Sequence, residues 1–483
     1  MKNLPRFKFV FFLAQFLLAP FAVAQDNDVS YNYDNGAAVE TQDTSTQNQS
    51  ATPDSDSITS DPSAEPSAKP KVAVPNESNL NADPNYSPEV DEEEVNAAQM
   101  VSVYQRNRPD YSPEGARIRS FRFLPYISTA ETYDDNIFAT KDNRVSDFYT
   151  LVKPGVVLRS DWSRHELSFS AIGDLVRYSQ NTGENFDNYT LFGGGRIDIT
   201  GKSYLSMNAT HQVLHEGRGE PNDQGSLEPT KYAVDQLASE FYYSASDVFI
   251  SVRGDLQTYD YEDSISRVGT VIDNDTRDRT EYTGAVRVGY NYLPGYAAFV
   301  ETAYNTRQYD NNAPTENRDS HGYKISAGTA LDISGTLKGE VKVGYLEQMY
   351  DNPNFDSTNG IYVGSNLLWN VTPITSVLLN VNRDVNETVL ANVSGYTETT
   401  VKVTVEHELL RNLLLNAVTT YSTNEYKDIN QTDTLIALGL GGKLFINRRV
   451  SMNLDYNFLM RESDSASREF MKNRVLIGLT LAL

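Results

Sequence analysis

The chain has 483 residues, with 41 Lys and Arg against 65 Asp and Glu, a formal net charge of −24. That acidic balance argues against a nucleic-acid partner, because phosphate binding needs a surplus of Lys and Arg. No Cys is present, which removes disulfide frameworks, thiolate catalysis and Cys-ligated metals.

The first element is a secretory signal. Lys2, Arg6 and Lys8 make a basic start, residues 9–21 are an apolar run, and Ala22, Val23 and Ala24 put small residues at the cleavage positions. The run is short for a membrane anchor. Residues 1–24 are therefore expected to be removed, leaving Gln25 first. Residues 25–119 read as a disordered, acidic periplasmic segment, rich in Asp, Ser, Thr, Asn, Pro and Ala and poor in large apolar residues. Residues 25–115 hold 18 acidic and 4 basic side chains, a net of −14, so more than half of the chain's charge lies in this stretch. An acidic run at 91–94 leads into a short helix expected near 91–104. The segment serves as a tether, or more sharply as a periplasmic docking element or a pore plug.

From residue 120 the texture changes. Stretches of about 10 to 13 residues alternate apolar and polar side chains, the period of a strand. Short junctions centre near Trp162, Gly201, Ala245, Pro294, Ser334, Pro373, Arg411 and Arg448. Long polar junctions fall at 133–145, 179–185, 214–229, 259–278, 310–319, 350–359, 384–394, 423–431 and 462–471. Eight short and nine long junctions separate eighteen strands. The predicted fold is all-β: a closed antiparallel transmembrane β-barrel over residues 120–483, preceded by the disordered segment. Short periplasmic turns and long outer loops are the outer-membrane arrangement.

The two faces differ in kind. Val450, Met452, Leu454, Tyr456 and Phe458 oppose Ser451, Asn453, Asp455 and Asn457. Val401, Val403 and Val405 oppose Glu398, Lys402, Glu406 and Glu408. Charges are costly against lipid, so the second face is expected to line the interior. The last stretch, residues 473–483, places Val475, Ile477, Leu479, Leu481 and Leu483 on one face. Closure is expected to set it antiparallel to residues 121–129. That seam involves Phe121, Pro125, Ile477 and Leu483. Pro125 and Pro154 each interrupt a strand of the first hairpin, where proline cannot donate to the ladder.

Arg106, Arg108, Pro109, Tyr111, Gly115, Arg117, Phe121, Phe123 and Pro125, followed by Tyr133, Asp134, Asp135, Asn136, Ile137 and Phe138, form a recognisable entry motif. In it the chain resembles the putative β-barrel porin 2 family, over roughly residues 103–483. The motif residues that carry the likeness are Arg108, Pro109, Tyr111, Gly115, Tyr133, Asp135 and Asn136. The resemblance implies an outer-membrane β-barrel of a kind often associated with exopolysaccharide gene clusters. It brings no catalytic residues.

An eighteen-strand barrel leaves an aqueous lumen unless something fills it. Its candidate lining residues are Glu166, Asp174, Arg253, Asp255, Arg287, Glu340, Lys342, Lys402, Glu406 and Lys443. They set the field of a passage, or pair across the lumen as structural salt bridges. Tyr242, Tyr243, Tyr290, Tyr292, Tyr304 and Tyr456 serve as stacking positions for sugars or, more plainly, as interface girdle. His211 and His215 have the i, i+4 spacing that joins ligands only on a helix, and here the pattern is strand. His165 and His407 fall near short turns. Asp273, Asp275 and Asp278 suit calcium or plain solvated surface. No enzyme activity, metal or cofactor is expected.

Three readings stay open: a conduit for export of an extracellular polysaccharide, a diffusion or uptake porin for small solutes, and a non-conducting anchoring barrel. Expected partners are outer-membrane lipid and lipopolysaccharide, polysaccharide, and periplasmic parts of an export machine. The expected location is the outer membrane of a Gram-negative bacterium. Substrate, direction and oligomeric state lie outside the sequence.

Overall fold

In a computed structural model, residues 101–311, 317–333 and 336–483 are described. Eighteen long strands follow one another: β1 Phe121–Asp134, β2 Asp147–Ser160, β3 Glu166–Tyr178, β4 Phe186–Thr200, β5 Ser203–His215, β6 Lys231–Ala245, β7 Val248–Tyr261, β8 Arg279–Leu293, β9 Tyr296–Tyr309, β10 Ser320–Ile333, β11 Leu337–Tyr350, β12 Thr358–Thr372, β13 Thr375–Asn386, β14 Tyr396–Leu410, β15 Leu413–Tyr426, β16 Thr432–Asn447, β17 Val450–Ser463 and β18 Phe470–Ala482. Each pairs antiparallel with its neighbour, and β1 pairs with β18, so the sheet closes on itself. All eight short junctions and all nine long ones fall where the alternation breaks in the sequence. The expected signal peptide and residues 25–100 of the expected acidic tail lie outside the described residues. No helix among the described residues is long and apolar enough to cross a membrane.

The barrel turns the usual protein inside out. Ser128, Thr132, Ser251, Ser376, Asn453, Asp455 and Thr480 are buried, while Val286, Val300, Ile361, Leu454 and Ile477 are exposed. Strand β8 shows the logic in one row: Tyr282, Val286, Val288, Tyr290 and Tyr292 are all exposed, with the aromatic rings at both ends and aliphatic side chains between. Rings at the two membrane interfaces and an apolar band between them are what a bilayer selects.

Closure holds, with its register corrected. The expected partner of the last strand was residues 121–129. The structure pairs Tyr126–Asp134 with the last strand, from Tyr126 opposite Ala482 to Asp134 opposite Arg474. Phe121 does not meet β18. Residues 121–123 pair instead with a three-residue strand, Ala116–Ile118, that doubles back beside them. The physical reason is length: the β1–β18 ladder ends at Tyr126 opposite Ala482, and Ala116–Ile118 takes up the rest of the open edge. Pro125 sits at the handover, where its carbonyl accepts from the Leu483 N–H at 3.2 Å. Pro154 lies where the β2–β3 ladder skips, between Val152–Leu175 and Gly155–Ile172.

A second correction concerns the expected disorder up to residue 119. Residues 101–118 are ordered and docked. Of the helix expected near 91–104, the described part is a 3-10 turn, Val103–Gln105, in which Val103 is fully buried.

Candidate functional site

The interior of the barrel is the candidate site, and three levels of it can be built from the residues upward. At mid-height, β7, β8, β9 and β11 send charged side chains inward. Glu301 accepts from Arg287 at 2.7 Å and from Lys342 at 3.1 Å, and it also pairs with Arg253. Arg287 in turn reaches Glu340 at 2.7 Å. Arg287 and Glu340 stand on strands separated by β9 and β10, and small residues on β10 open the way. Ser326 is opposite Glu301, and beside it a Cβ on Gly328 would lie 2.6 Å from the Phe299 ring and 2.9 Å from the Lys342 Cβ. Arg253, Arg287, Glu340 and Lys342 were legible as candidates from alternation. Glu301, the residue that joins them, was not singled out.

The remaining candidates scatter. Asp174 pairs with Lys153 at 2.9 Å on the first hairpins. Asp255 accepts from Gln236 at 2.6 Å and from Gln257 at 2.8 Å. Lys443 is buried and lies 5.1 Å from the Phe445 ring. Lys402 and Glu166 are exposed, the latter opposite Arg196 on the strand ladder. Glu406 departs from expectation. It faces no open passage, because the N-terminal segment covers it and the Tyr104 N–H donates to its carboxylate at 2.9 Å.

That segment, residues 101–115, forms a strap across the short-turn end. The Val103 N–H donates to Ser376 at 2.9 Å, and the Tyr104 hydroxyl to Asn416 at 3.0 Å. Arg106 donates to Asn370 at 3.2 Å. Arg108 pairs with Glu408 at 2.9 Å, each only 6% exposed. Tyr111 packs against Phe445, and Arg448 donates to the Pro109 carbonyl at 2.7 Å. The motif read from sequence thus has a structural role at both ends of the seam. Gly115 has φ +67°, and a Cβ there would sit 2.5 Å from the Phe123 carbonyl oxygen, so only glycine fits. At the other end, Asp135 accepts from the Asn473 backbone at 2.6 Å, and Asn136 donates to the carbonyls of Thr140 and Met471 at 2.7 and 2.8 Å. Tyr133 lies on the lipid face beside Phe148.

At the long-loop end, the β5–β6 loop reaches over the mouth. Arg218 anchors it through Glu184 at 2.7 Å, with both side chains buried. Burial opposes the Arg218 charge, and the bonds to Glu184 outweigh it, so its pKa is held above the ordinary value. Asn222 accepts from the Val389 N–H at 3.2 Å, which joins this loop to the β13–β14 loop. Between these loops and the β6–β9 wall lies a cavity of about 600 Å³. Its wall carries Tyr232, Tyr259, Tyr261 and Tyr309 with Arg277, Arg279, Arg307 and Arg318. Sequence reading missed this chamber, since loops and wall meet only in the fold.

Other expectations sort themselves. Tyr243, Tyr290, Tyr292 and Tyr304 are exposed on the lipid face, whereas Tyr242 stacks on Tyr204 at 5.1 Å and Tyr456 donates to Asn473 at 2.8 Å. His211 and His215 do not converge: His211 pairs with Asp235 at 2.8 Å, and His215 stacks on Phe186 at 3.6 Å. His165 accepts from the Asp198 N–H at 3.0 Å, and His407 meets Thr375 at 3.0 Å. Asp273 and Asp275 gather with Asp263, all three exposed, while Asp278 turns away to accept from the Tyr261 N–H at 2.7 Å.

A closed barrel with an apolar belt, aromatic girdles and a charged interior is an outer-membrane, porin-like β-barrel. The chain belongs to the Putative beta-barrel porin 2 family, whose sequence profile matches residues 108–483. No curated protein matches the sequence. Among solved structures it is similar to OpdO of Pseudomonas aeruginosa, with 13% identity, 76% of this chain and 98% of that one covered, and a TM-score of 0.41. It is also similar to the ferric-catecholate import receptor Fiu of E. coli K12, with 9% identity, 77% and 82% covered, and a TM-score of 0.37. The FrpB iron transporter of Neisseria meningitidis shares 8% identity and a TM-score of 0.39 over 70% of this chain. The chain spans 62% of the length of FrpB.

Proposed function

We propose that this barrel is a conduit for hydroxylated solutes across the outer membrane, serving secretion of an extracellular polysaccharide. The observation that carries the conduit is the chamber at the long-loop end, enclosed by loops and walled with hydrogen-bonding side chains. The family resemblance supports the polysaccharide. In this reading the short-turn end and its strap face the periplasm, where the acidic tail meets the other parts of an export machine. Lipid and lipopolysaccharide surround the apolar belt. The test is single-channel conductance of the refolded protein with and without residues 25–98, together with a deletion strain. Conductance plus loss of extracellular polysaccharide is expected.

A second reading, uptake or diffusion of small solutes, is favoured by the strap and the β5–β6 loop, which narrow both ends. Normal extracellular polysaccharide with altered small-solute uptake in the deletion strain would select it. Absence of conductance in both forms would sink the conduit and leave an anchoring barrel.

A further inference from the structure

We infer that the chamber is a binding site for an uncharged carbohydrate unit, and that it discriminates against acidic sugars. The inference concerns what the chamber binds and rests on the conduit reading only for the route by which the ligand arrives.

The reason is that three of the four wall arginines already have carboxylate partners, and the lining holds five carboxylates, Glu216, Glu220, Asp273, Glu281 and Glu387, against four arginines. Arg277 is bonded to Glu216, and Arg279 to Glu281 at 2.7 Å. Arg307 lies 3.6 Å from Glu281 and also pairs with Glu387. Arg318 donates to the backbone carbonyls of Leu390 and Val393 at 2.9 and 2.6 Å, which ties it to the β13–β14 loop. A charged solute binds where its charge is met by a free opposite one. An acidic solute would have to break the pairs of Arg277, Arg279 or Arg307 to use them, which is strongly unfavourable in a buried site, and elsewhere it meets a lining with more carboxylates than arginines.

An uncharged, hydroxyl-rich solute faces no such barrier. It needs donors and acceptors held at fixed positions, with some apolar surface. The wall supplies both. Gln236 and Gln257 are fixed by their shared bonds to Asp255. Tyr232 and Tyr261 stack at 5.0 Å, and Arg277 covers Tyr261 at 3.9 Å. With Tyr232 and Arg277 both against the Tyr261 ring, its hydroxyl is the group we assign to a ligand. A volume of about 600 Å³ suits a short oligosaccharide rather than a polymer coil.

The experiment is titration calorimetry on the full chain, refolded in detergent. The probes are a panel of neutral trisaccharides of gluco, manno and galacto configuration, and trigalacturonate. At least one neutral probe is expected to bind with an affinity that does not change between low and high salt. Trigalacturonate is expected to bind at least tenfold more weakly. Tyr261→Phe, which keeps the ring and removes the hydroxyl, and Gln236→Leu are each expected to weaken neutral binding several-fold while the far-ultraviolet spectrum stays that of the parent. Absence of binding by every neutral probe at millimolar concentration overturns the inference. So does equal or tighter binding of trigalacturonate, or full affinity in both variants. Calorimetry does not need ion flow, so the two readings fail separately. Binding without conductance sinks the conduit alone, and conductance without neutral-sugar binding sinks this inference alone.

Discussion

The Gly115 N–H donates to the Leu483 carbonyl at 2.8 Å, so the end of the last strand is held by the chain that enters the first. A closed barrel needs only β1 against β18. Here the seam has a third member, and the strap behind it is fastened to the wall from β12 to β18. Closure of the barrel and docking of the strap are therefore mechanically one feature.

Gly115→Val puts a β-branched side chain at φ +67° and against the Phe123 carbonyl. Left-handed strain of this kind costs about 1–3 kcal/mol. The expected outcome is a barrel that still folds, with Ala116–Ile118 released from β1. Hydrogen exchange of the Ala116–Ile118 amides reads this directly, and unchanged protection would refute it.

Arg108→Ala leaves Glu408 buried without its main partner. Arg411 reaches the other carboxylate oxygen at 3.3 Å but is 86% exposed and compensates little. Breaking a buried pair costs about 3–5 kcal/mol. The strap should detach from the short-turn end, so that trypsin cuts at Arg106, half-buried and bonded to Asn370 in the parent, faster in the variant than in the parent. Single-channel conductance should rise as Glu406 and Glu408 become exposed to the lumen.

Asn136→Ala removes the donors to the half-buried carbonyls of Thr140 and Met471, at about 1 kcal/mol for each such bond. The β1–β2 loop then keeps only the Asp135–Asn473 bonds as its hydrogen-bonded attachment to β18. Its cleavage by protease from the long-loop side should accelerate with little change in conductance. Equal rates for parent and variant would count against the clamp.

Glu301→Gln leaves Arg253, Arg287 and Lys342 facing Glu340 alone. The cluster changes from three cations and two carboxylates to three cations and one, a shift from +1 to +2. Reversal potentials in a salt gradient should move toward anion preference, and Lys342→Gln should move them the other way. If neither variant shifts the potential, this cluster does not set the field of the passage.

Ile477→Lys places a cation on the lipid face of β18, where the native side chain is 54% exposed. Near the bilayer midplane that costs about 2–4 kcal/mol. Folding into lipid vesicles should slow or stop, as followed by the heat-modifiable shift on gels, whereas folding into detergent should tolerate the change. Equal folding in lipid would place this face away from the bilayer.

The sequence by itself determined the strands, the junctions and the two faces. Lipid outside and water inside impose a period of two on every strand, and that period is a local property of neighbours such as Asn453, Leu454 and Asp455. Only the tertiary structure decided which inward charges meet. Glu301 reads like any other inward carboxylate until β7, β8, β9 and β11 curve around it. Tyr104, Arg106 and Arg108 lie in a polar, loop-like stretch, and nothing local separates a docked strap from a solvated tether. The difference comes from Glu406 and Glu408, some three hundred residues away in sequence. The chamber has the same origin, because its loops are polar along the chain and become walls only by meeting one another across the mouth.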